Sequence, residues 1–433
     1  MAEVRRRSLL PSGKAVRAWV DADFRGTLEM ATGSGKTLTS MVCSYRLWEK
    51  HRPLLIVVAA PYVPLIEQWC SEVEHFGLKP HNLTTANGAA GRARKLQELR
   101  RALQLGVSSV EAVIVSHDTL CTDEFAKVVS TFPGTKLLIA DEAHNLGRAQ
   151  FLHNPPDYFD FRLALSATPV RQYDPEGTSA IFDFFGPVVF AFTLREAIGT
   201  CLVEYDYHVH TVDLTHDEMA EWGDLTHEIR QNAWRQENGK PDDKLAKLYR
   251  DRRALLELAE NKLPLLESLL MQEDIRSLKH TLIYTTDKDP DQLDKVNAIL
   301  KRNGVLFHQL TARETSSRDA TARIIKAFQK GDIQVLTAKR VLDEGVNIPQ
   351  IRKAYVLAST TVERQWVQRR GRLLRICPDI GKAHSVIHDF LPLPPEMDQG
   401  LDADAKSLIK SELRRIQEFA SLVRRQLSFP AVC

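Results

Sequence analysis

The stretch Thr27-Leu28-Glu29-Met30-Ala31-Thr32-Gly33-Ser34-Gly35-Lys36-Thr37 decides the fold of the chain. It predicts a short apolar strand, then a glycine-rich turn, then a helix that begins near Leu38. Such a turn cradles phosphate, because glycines let several backbone N–H groups point at one anion and the helix N-terminus adds partial positive charge. In this arrangement Lys36 reaches the β and γ phosphates of a nucleotide, and the Thr37 hydroxyl binds Mg²⁺.

The turn departs from the strict phosphate-loop motif, since Met30 stands where the motif has glycine, six residues before the lysine. A chance Gly/Ser turn is therefore the alternative interpretation. The preceding strand and the following helix favour a phosphate loop, because they are the context that such a motif requires. We predict that Thr32, Gly33, Ser34, Gly35, Lys36 and Thr37 bind the nucleotide.

The bulk composition indicates a globular chain with two main domains. Of its residues, 43% are hydrophobic and 26% are charged. Its length of 433 residues exceeds what one hydrophobic core usually holds. The net charge of +2 is too small to indicate a polyanion partner, so any nucleic-acid surface must be local. The scattered cysteines favour neither disulfides nor a zinc site, and no apolar run is long enough for a signal peptide or a membrane span. We therefore expect a cytoplasmic protein.

The first half of the chain predicts a parallel sheet covered by helices. Short apolar runs alternate with helix-compatible segments, and unbroken apolarity indicates strands that are buried on both faces. These runs are Leu54–Ala59, Ala112–Ser116, Leu137–Ala140 and Leu163–Leu165. In such a sheet, ligands collect at the carboxyl ends of the strands.

Two carboxylates, Asp141 and Glu142, follow one of these strands directly. An aspartate here can hold the Mg²⁺ of a bound nucleotide, and the adjacent glutamate can orient the attacking water and accept its proton. An acidic helix cap is the alternative. Their position on a strand after the phosphate loop favours the catalytic interpretation.

Other polar residues also follow strands at this edge. Ser166 and Thr168 can relay the state of the nucleotide, although an ordinary turn explains them as well. The backbone amides and hydroxyls of Pro61-Tyr62 and Ser116-His117 suit contacts with nucleic-acid phosphates, and helix caps are the equally good alternative.

Between Leu214 and Leu270 the pattern changes to helical. Thr215 and Glu218 form a capping-box signature, and two amphipathic helices separated by a turn near Asn238 predict a helical hairpin. Its basic residues either face nucleic acid or belong to a charged surface in water.

The second half predicts another parallel sheet, from apolar runs at Thr281–Tyr284, Val305–His308, Ile333–Leu336, Ala354–Leu357 and Ser385–His388. It lacks a phosphate loop but contains the arginine-rich run Gln368–Arg375. Arg372 and Arg375 lie three residues apart, hence on one helical face, where guanidinium groups suit the γ-phosphate of a nucleotide. A basic surface helix is the alternative. After Phe390 the sequence predicts a stiff proline linker and then a helix from Asp404 to Leu427.

Taken in order, Ala31–Thr37, Asp141-Glu142-Ala143-His144 and Ser166-Ala167-Thr168 resemble motifs I, II and III of superfamily 2 helicases. More narrowly, Leu165–Pro169 followed by Phe185–Val189 resembles the XPB-like and type III restriction motor branch. The later half is most similar to XPB-like proteins, with Thr285-Thr286-Asp287, Val335–Pro349 and Gln368–Arg375 in the places of motifs IV, V and VI.

The resemblance implies an ATP- and Mg²⁺-dependent hydrolase and assigns further roles. Lys36, Glu142, Gln368, Arg372 and Arg375 would be catalytic. Gly345 and Asn347 would help bind the nucleotide, and Thr37 and Asp141 would bind the metal. His144, Ser166 and Thr168 would couple nucleotide state to movement. Nucleic acid would contact Pro61, Tyr62, Ser116, His117, Thr285 and Thr337.

Three departures from that family stand out. No Tyr-Gln pair precedes the first strand to select adenine, no Arg-Glu-Asp run is present to separate strands, and Asn347 stands where the branch usually has aspartate. Translocation is therefore a firmer expectation than unwinding.

The sequence as a whole predicts an α/β chain with two tandem RecA-like parallel-sheet domains, an inserted helical hairpin and a C-terminal helix. The predicted segments are domain 1 (1–200), a linker with the hairpin (201–275), domain 2 (276–392) and a helical tail (393–433). We predict an ATP-dependent motor on nucleic acid, with duplex DNA favoured over RNA. The alternatives are a motor subunit of a restriction or anti-phage complex, which would need a nuclease partner, and a nucleotide-dependent assembly switch.

Overall fold

The computed structural model describes residues 2–171, 174–237, 240–311, 314, 318–339, 348–358, 368, 370–395 and 403–422. The chain divides into two compact units, Met1–Cys201 and Leu202–Cys433. Each unit is built on a parallel sheet. Both sheets that the sequence predicted are therefore confirmed.

The first unit contains a seven-stranded parallel sheet. Its strands are β1 (Arg25–Met30), β2 (Leu54–Ala60), β3 (Pro80–Asn82), β4 (Val110–Ser116), β5 (Thr135–Asp141), β6 (Phe161–Ser166) and β7 (Val188–Phe192). Their order in the sheet is β3-β4-β2-β5-β6-β1-β7. Every residue of β2 is buried, as its unbroken apolar sequence predicts. Because β6 lies between β5 and β1, the loops that follow these three strands meet at one edge of the sheet.

Nine helices of the described first unit are α1 (Ala2–Asp21), α2 (Lys36–Lys50), α3 (Val63–His75), α4 (Gly88–Gln104), α5 (His117–Leu120), α6 (Asp123–Val129), α7 (Ala149–His153), α8 (Pro175–Phe185) and α9 (Leu194–Ala197). Their apolar faces bury Leu96, Phe125, Phe151 and Phe185 with strand residues in one core. This packing holds the sheet edge rigid.

The second unit contains a six-stranded parallel sheet of order β12-β13-β11-β14-β15-β8. Its strands are β8 (Glu204–Asp213), β11 (Thr281–Thr285), β12 (Phe307–Leu310), β13 (Val335–Lys339), β14 (Lys353–Val356) and β15 (His384–Leu393), and the two-residue strands β9 (Gln236–Glu237) and β10 (Lys240–Pro241) form a separate antiparallel pair. The described helices here are α10 (His216–Gln231), α11 (Asp243–Leu258), α12 (Lys262–Met271), α13 (Pro290–Arg302), α14 (Arg318–Lys330) and α15 (Ala403–Ala420).

Strand β8 corrects the sequence interpretation, which had placed residues 201–275 in a linker with a hairpin. It pairs with β15 over ten residues. Tyr205, Tyr207 and Val209 are buried while the residues between them are half-buried, so this edge strand has the alternating pattern of a sheet that is covered more fully on one face. Residues 391–393, predicted as part of a stiff linker, complete β15; Pro392 is tolerated because β14 pairs with β15 only up to Asp389.

The predicted helical hairpin is confirmed as α10 and α11. Thr215 and Glu218 form both hydrogen bonds of the capping box. The C-terminal helix packs on the second unit, where Leu408 is fully buried and the Phe419 ring stacks on Tyr207 with centroids 5.2 Å apart. Within the part of the chain that the structure describes, no helix combines the length and apolarity needed to cross a bilayer.

Candidate nucleotide-binding site

The phosphate loop has the conformation that its glycines predict. Gly33 and Gly35 have φ values of 86° and 88°, in the left-handed region that glycine adopts at low cost. The Ser34 backbone and hydroxyl both donate hydrogen bonds to the Ala31 carbonyl, at 3.1 and 2.7 Å, which closes the turn. Helix α2 begins at Lys36, so its unpaired N–H groups lie beside the loop.

Lys36 holds a buried positive charge at this site. Its Nζ lies 3.7 Å from Glu142 Oε1, and the two side chains are 11% and 14% exposed. Within the described residues, Nζ has no hydrogen-bond partner. A buried ammonium with three unused N–H donors favours binding of an anionic ligand, because burying a charged group without hydrogen bonds costs free energy.

Glu142 adopts a strained backbone conformation. Its φ of 47° is left-handed, which is uncommon for a residue with a side chain and occurs often at functional sites. This turn directs Oε1 toward Lys36 and places Oε2 3.5 Å from His144 Nδ1. The carboxylate therefore lies between two nitrogen atoms, in a position suited to a general base.

Asp141 is held by groups that the sequence did not identify. Trp69 Nε1 donates to Asp141 Oδ2 at 2.8 Å, and the Glu142 amide donates to Oδ1 at 2.9 Å. Burial raises the pKa of the Asp141 carboxyl, and the positive charge of Lys36 opposes this shift. The side chain is thus fixed in one orientation at the sheet edge.

A second contact joins Asp141 to the loop after β4. His117 Nε2 lies 3.0 Å from the Asp141 carbonyl oxygen, and burial lowers the pKa of His117 to about 4. Its neighbour Ser116 caps helix α5 by accepting from the Thr119 amide at 3.1 Å. The helix-cap alternative therefore holds for Ser116.

The predicted coupling residues form one connected set. His144 Nδ1 lies 3.0 Å from Ser166 Oγ, which also accepts from the Thr168 amide at 3.1 Å. The His144 carbonyl accepts from the Arg171 guanidinium, which in turn pairs with Asp174 at 2.8 Å. Arg171 and Asp174 were not identified from sequence. Gly147 and Gly177 approach too closely for side chains here, since a Cβ on either would meet the other's oxygen at 2.5 Å.

Pro61 and Tyr62 lie at a pocket of about 100 Å³ beside this network, together with His117 and Arg148. The Tyr62 side chain is 44% exposed. Tyr62 is therefore available to an external ligand.

In the second unit the predicted residues have different surroundings. Thr285 and Thr337 are fully buried; Thr285 Oγ1 donates to the Ala338 carbonyl at 3.3 Å and Thr337 Oγ1 to Asn297 at 2.8 Å. Direct contact of these two hydroxyls with nucleic acid is therefore not supported, because internal acceptors already use them. Gly345 and Asn347 lie outside the described residues.

The arginine-rich run is partly buried. Gln368 and Arg372 are half-buried. Burial, together with the charge of Arg372, lowers the pKa of Arg375 to about 10, so the Arg375 guanidinium is charged at neutral pH. Arg370 has another role: it is buried, its Nη1 contacts Tyr205 Oη at 3.3 Å and its guanidinium lies 4.5 Å from the Phe419 ring centre.

Two protein-family models match parts of this chain, and together they include the loops described above. The family model described as type III restriction enzyme, res subunit, matches residues 11–171. The helicase conserved C-terminal domain matches residues 261–377. Both models belong to helicase and translocase families, which are ATP-hydrolysing enzymes.

The chain is similar to named helicases and translocases in sequence, and to a solved helicase domain in fold. The DNA 3'-5' translocase XPB2 of Sulfurisphaera tokodaii is 25% identical over 384 residues, which cover 84% of this chain and 77% of the relative. Putative helicase 22 of a Sulfolobus islandicus filamentous virus is 21% identical over 378 residues. This alignment covers 86% of this chain and 62% of the viral protein. The Hef helicase domain of Pyrococcus furiosus has a TM-score of 0.54 at 16% identity, over 89% of this helicase and 94% of that chain. The last comparison supports the fold alone.

The site fits the nucleotide and divalent metal that the family implies. The Lys36 ammonium, which has no hydrogen-bond partner among the described residues, and the loop amides suit phosphate. The Thr37 hydroxyl and Asp141 carboxylate are hard oxygen ligands of the kind Mg²⁺ prefers. Thr32 Oγ1 is also buried and has no hydrogen-bond partner in the described ranges.

Proposed function

We propose that this protein is a motor that uses ATP and Mg²⁺ to move along nucleic acid, mainly along duplex DNA. The observation that carries the proposal is the buried Lys36 ammonium, 3.7 Å from Glu142 and unbonded among the described residues. A pre-formed cation beside a strained carboxylate suits hydrolysis of the phosphoanhydride of a nucleotide better than storage of the nucleotide.

Each residue of the first unit has a distinct role in this proposal. Lys36 and the loop amides bind the β and γ phosphates, and Thr37 and Asp141 hold the metal, which stabilises charge on the phosphates when bound. Glu142 orients the attacking water and takes its proton. His144, Ser166 and Thr168 transmit the resulting change along their hydrogen bonds.

The arginine-rich run has a catalytic role in this proposal. Arg372 and Arg375 stabilise the charge that spreads over the γ-phosphate in the transition state, Gln368 acts with them in catalysis, and Gly345 and Asn347 assist nucleotide binding. Pro61, Tyr62, Ser116 and His117 supply contacts on the nucleic-acid path, where Ser116 uses its backbone because its hydroxyl caps helix α5. Such phosphate contacts select no base sequence.

A motor subunit of a restriction or anti-phage complex is the second candidate. The match of residues 11–171 to a type III restriction subunit favours it. In that case a separate partner, such as a nuclease, supplies the cutting activity.

The deciding experiment is the steady-state ATPase rate without polymer and with duplex DNA, single-stranded DNA or RNA. Strong stimulation by duplex DNA, absent in Glu142→Gln, supports the motor. A measurable rate that no polymer changes would instead favour an assembly switch. Binding to duplex DNA should also weaken with salt, with log K falling by about 0.9 per phosphate contacted for each tenfold rise in salt.

A further inference from the structure

A buried carboxylate, Glu257, connects the helical hairpin to the edge of the second sheet. It lies in the last turn of α11 and is 7% exposed. Its Oε2 accepts a hydrogen bond from Thr286 Oγ1 at 2.6 Å, and its Oε1 accepts one from Lys288 Nζ at 3.0 Å. Both donors belong to the loop that directly follows β11, which is the loop in the motif IV position.

Further hydrogen bonds join the end of the hairpin to this loop and to the loop after β14. The Glu257 carbonyl accepts from Gln292 Nε2 at 2.9 Å, and Gln292 Oε1 accepts from the Thr286 amide at 2.9 Å. Lys262, at the start of the next helix, donates to the Leu357 carbonyl at 2.6 Å, just after β14. The end of the hairpin thus holds loops at the carboxyl edge of the sheet, where ligands bind in this fold class.

The charges of this cluster extend to the C-terminal helix. Arg253, one turn before Glu257, lies 3.5 Å from Glu257 Oε1 and also pairs with Glu412, whose side chain is fully buried, at 2.5 Å. Such a buried network is costly to assemble and is therefore a poor source of stability. It does, however, fix one geometry for the elements that it joins.

The other end of the hairpin exposes an aromatic side chain. Helix α11 has 16 residues, hence a length of about 24 Å, and is held against α10 by Ile229, Leu245 and Leu248. At the far end Trp234 is 74% exposed, with the Arg235 guanidinium 4.6 Å from its ring centre. Near this end Arg230 also pairs with Asp404 of α15 at 2.6 Å. The hairpin is therefore a two-helix element whose far end exposes Trp234 and contacts α15, and whose base is bonded to the sheet edge.

We propose that Glu257 is a positioning residue that binds the loop after β11 to the hairpin, so that a force on the hairpin changes the loop and with it the stimulated ATPase rate. The inference rests on the proposed motor function for its effect on rate. Its structural part, the loop held by Glu257, is independent of that function.

The test compares Glu257→Gln with Glu260→Gln, an exposed carboxylate three residues further on. We expect Glu257→Gln to lower polymer-stimulated ATPase roughly 2- to 30-fold while the rate without polymer stays unchanged. Hydrogen exchange at the amides of residues 285–288 should accelerate in this variant. Glu260→Gln should match the wild type in both measurements.

The double variant Glu257→Gln/Lys288→Met separates positioning from charge balance. It removes a positive partner together with the negative charge, so a purely electrostatic role predicts that stimulation recovers. Positioning predicts that stimulation stays low, because the loop is still released. If Glu257→Gln does not fold, Lys288→Met alone should give a weaker form of the same loss.

Two results would overturn the inference: unchanged exchange at residues 285–288 in Glu257→Gln, or a fall of basal and stimulated rates in equal proportion. Failure of the motor proposal gives a different result. In that case the wild-type rate responds to no polymer, while the exchange measurement still decides whether Glu257 holds the loop.

Discussion

The Nδ1 atom of His144 lies 3.0 Å from the Oγ atom of Ser166. This hydrogen bond joins the acidic loop after β5 to the loop after β6, and Ser166 is fully buried. Ser166 therefore cannot touch a ligand and acts through its neighbours.

Ser166→Ala should reduce the coupling between nucleic acid and hydrolysis. Loss of the hydroxyl removes the bond to His144 and the acceptor of the Thr168 amide, so the two loops move independently. We expect polymer-stimulated ATPase to fall roughly 2- to 30-fold with little change in KM for ATP. Ser179→Ala, at an exposed position on α8, is the matched control, and wild-type stimulation in Ser166→Ala would refute the coupling role.

Lys36→Ala and Glu142→Gln should separate nucleotide binding from turnover. Lys36→Ala removes the buried cation, so both nucleotide affinity and hydrolysis should be lost. Glu142→Gln keeps the cation and the shape of the site, so the nucleotide should still bind while the rate falls by about 10²–10⁴-fold. Titration with a fluorescent nucleotide and steady-state ATPase distinguish the two. Turnover that survives in Glu142→Gln contradicts its assignment as the base.

Trp69→Phe should damage the metal site through Asp141. Phenylalanine retains most of the buried ring but cannot donate to Asp141 Oδ2, a bond of 2.8 Å. Loss of a hydrogen bond to a charged group costs about 1.5–3 kcal/mol, so we expect a lower free energy of unfolding and a higher Mg²⁺ concentration for half-maximal ATPase. Trp48→Phe is the control, because its Nε1 bonds only the surface Ser109 hydroxyl at 3.3 Å.

The sequence identified those features of the fold and site that depend on local pattern. Unbroken apolar runs revealed β2 and β5, and glycine spacing revealed the loop at Gly33 and Gly35. Strand β8 was missed because Tyr205, Tyr207 and Val209 alternate with polar residues. The hydroxyls of Thr285 and Thr337 have the same local chemistry as a phosphate contact, and only their burial distinguishes them from one.

Contacts between residues distant in sequence could not be read from one chain. Trp69 and Asp141 are 72 positions apart, and Glu257 and Thr286 are 29 positions apart. In each case the tertiary fold, rather than a local motif, brings the donor to the carboxylate. Arg171 was missed for the same reason, since its contact with the His144 carbonyl needs two neighbouring loops.

Arg375→Ala should reduce hydrolysis without loss of the fold. If Arg375 stabilises transition-state charge as arginine fingers do, the rate should fall by about 10³–10⁵-fold while nucleotide affinity changes little. Arg323→Ala removes an exposed arginine of α14 and should leave the rate unchanged. Stimulated hydrolysis that survives in Arg375→Ala would remove the second unit's arginines from the mechanism.

A histidine cluster in the second sheet should make the helicase sensitive to acid. The His388 ring stacks on His208, His210 and Tyr355, with centroids 5.0, 5.2 and 4.6 Å apart, and His210 Nε2 lies 2.9 Å from His388 Nδ1. The pKa of His388 is lowered to about 3. Burial is the largest cause, and the charges of His210, His208 and Lys353 act in the same direction. The folded state therefore holds this ring neutral at a pH where the unfolded chain protonates it.

The sign of the effect follows from proton linkage. Below the ordinary histidine pKa of about 6.5 the unfolded chain binds the extra proton, so stability falls as pH decreases from about 6.5 toward 3. One such proton contributes a slope of at most about 1.4 kcal/mol per pH unit. His388→Phe keeps a stacking ring but cannot titrate, so the difference in melting temperature between pH 7.5 and pH 5 should be smaller than in the wild type. An equal difference in both proteins would mean that the acid sensitivity arises from other groups, such as His117.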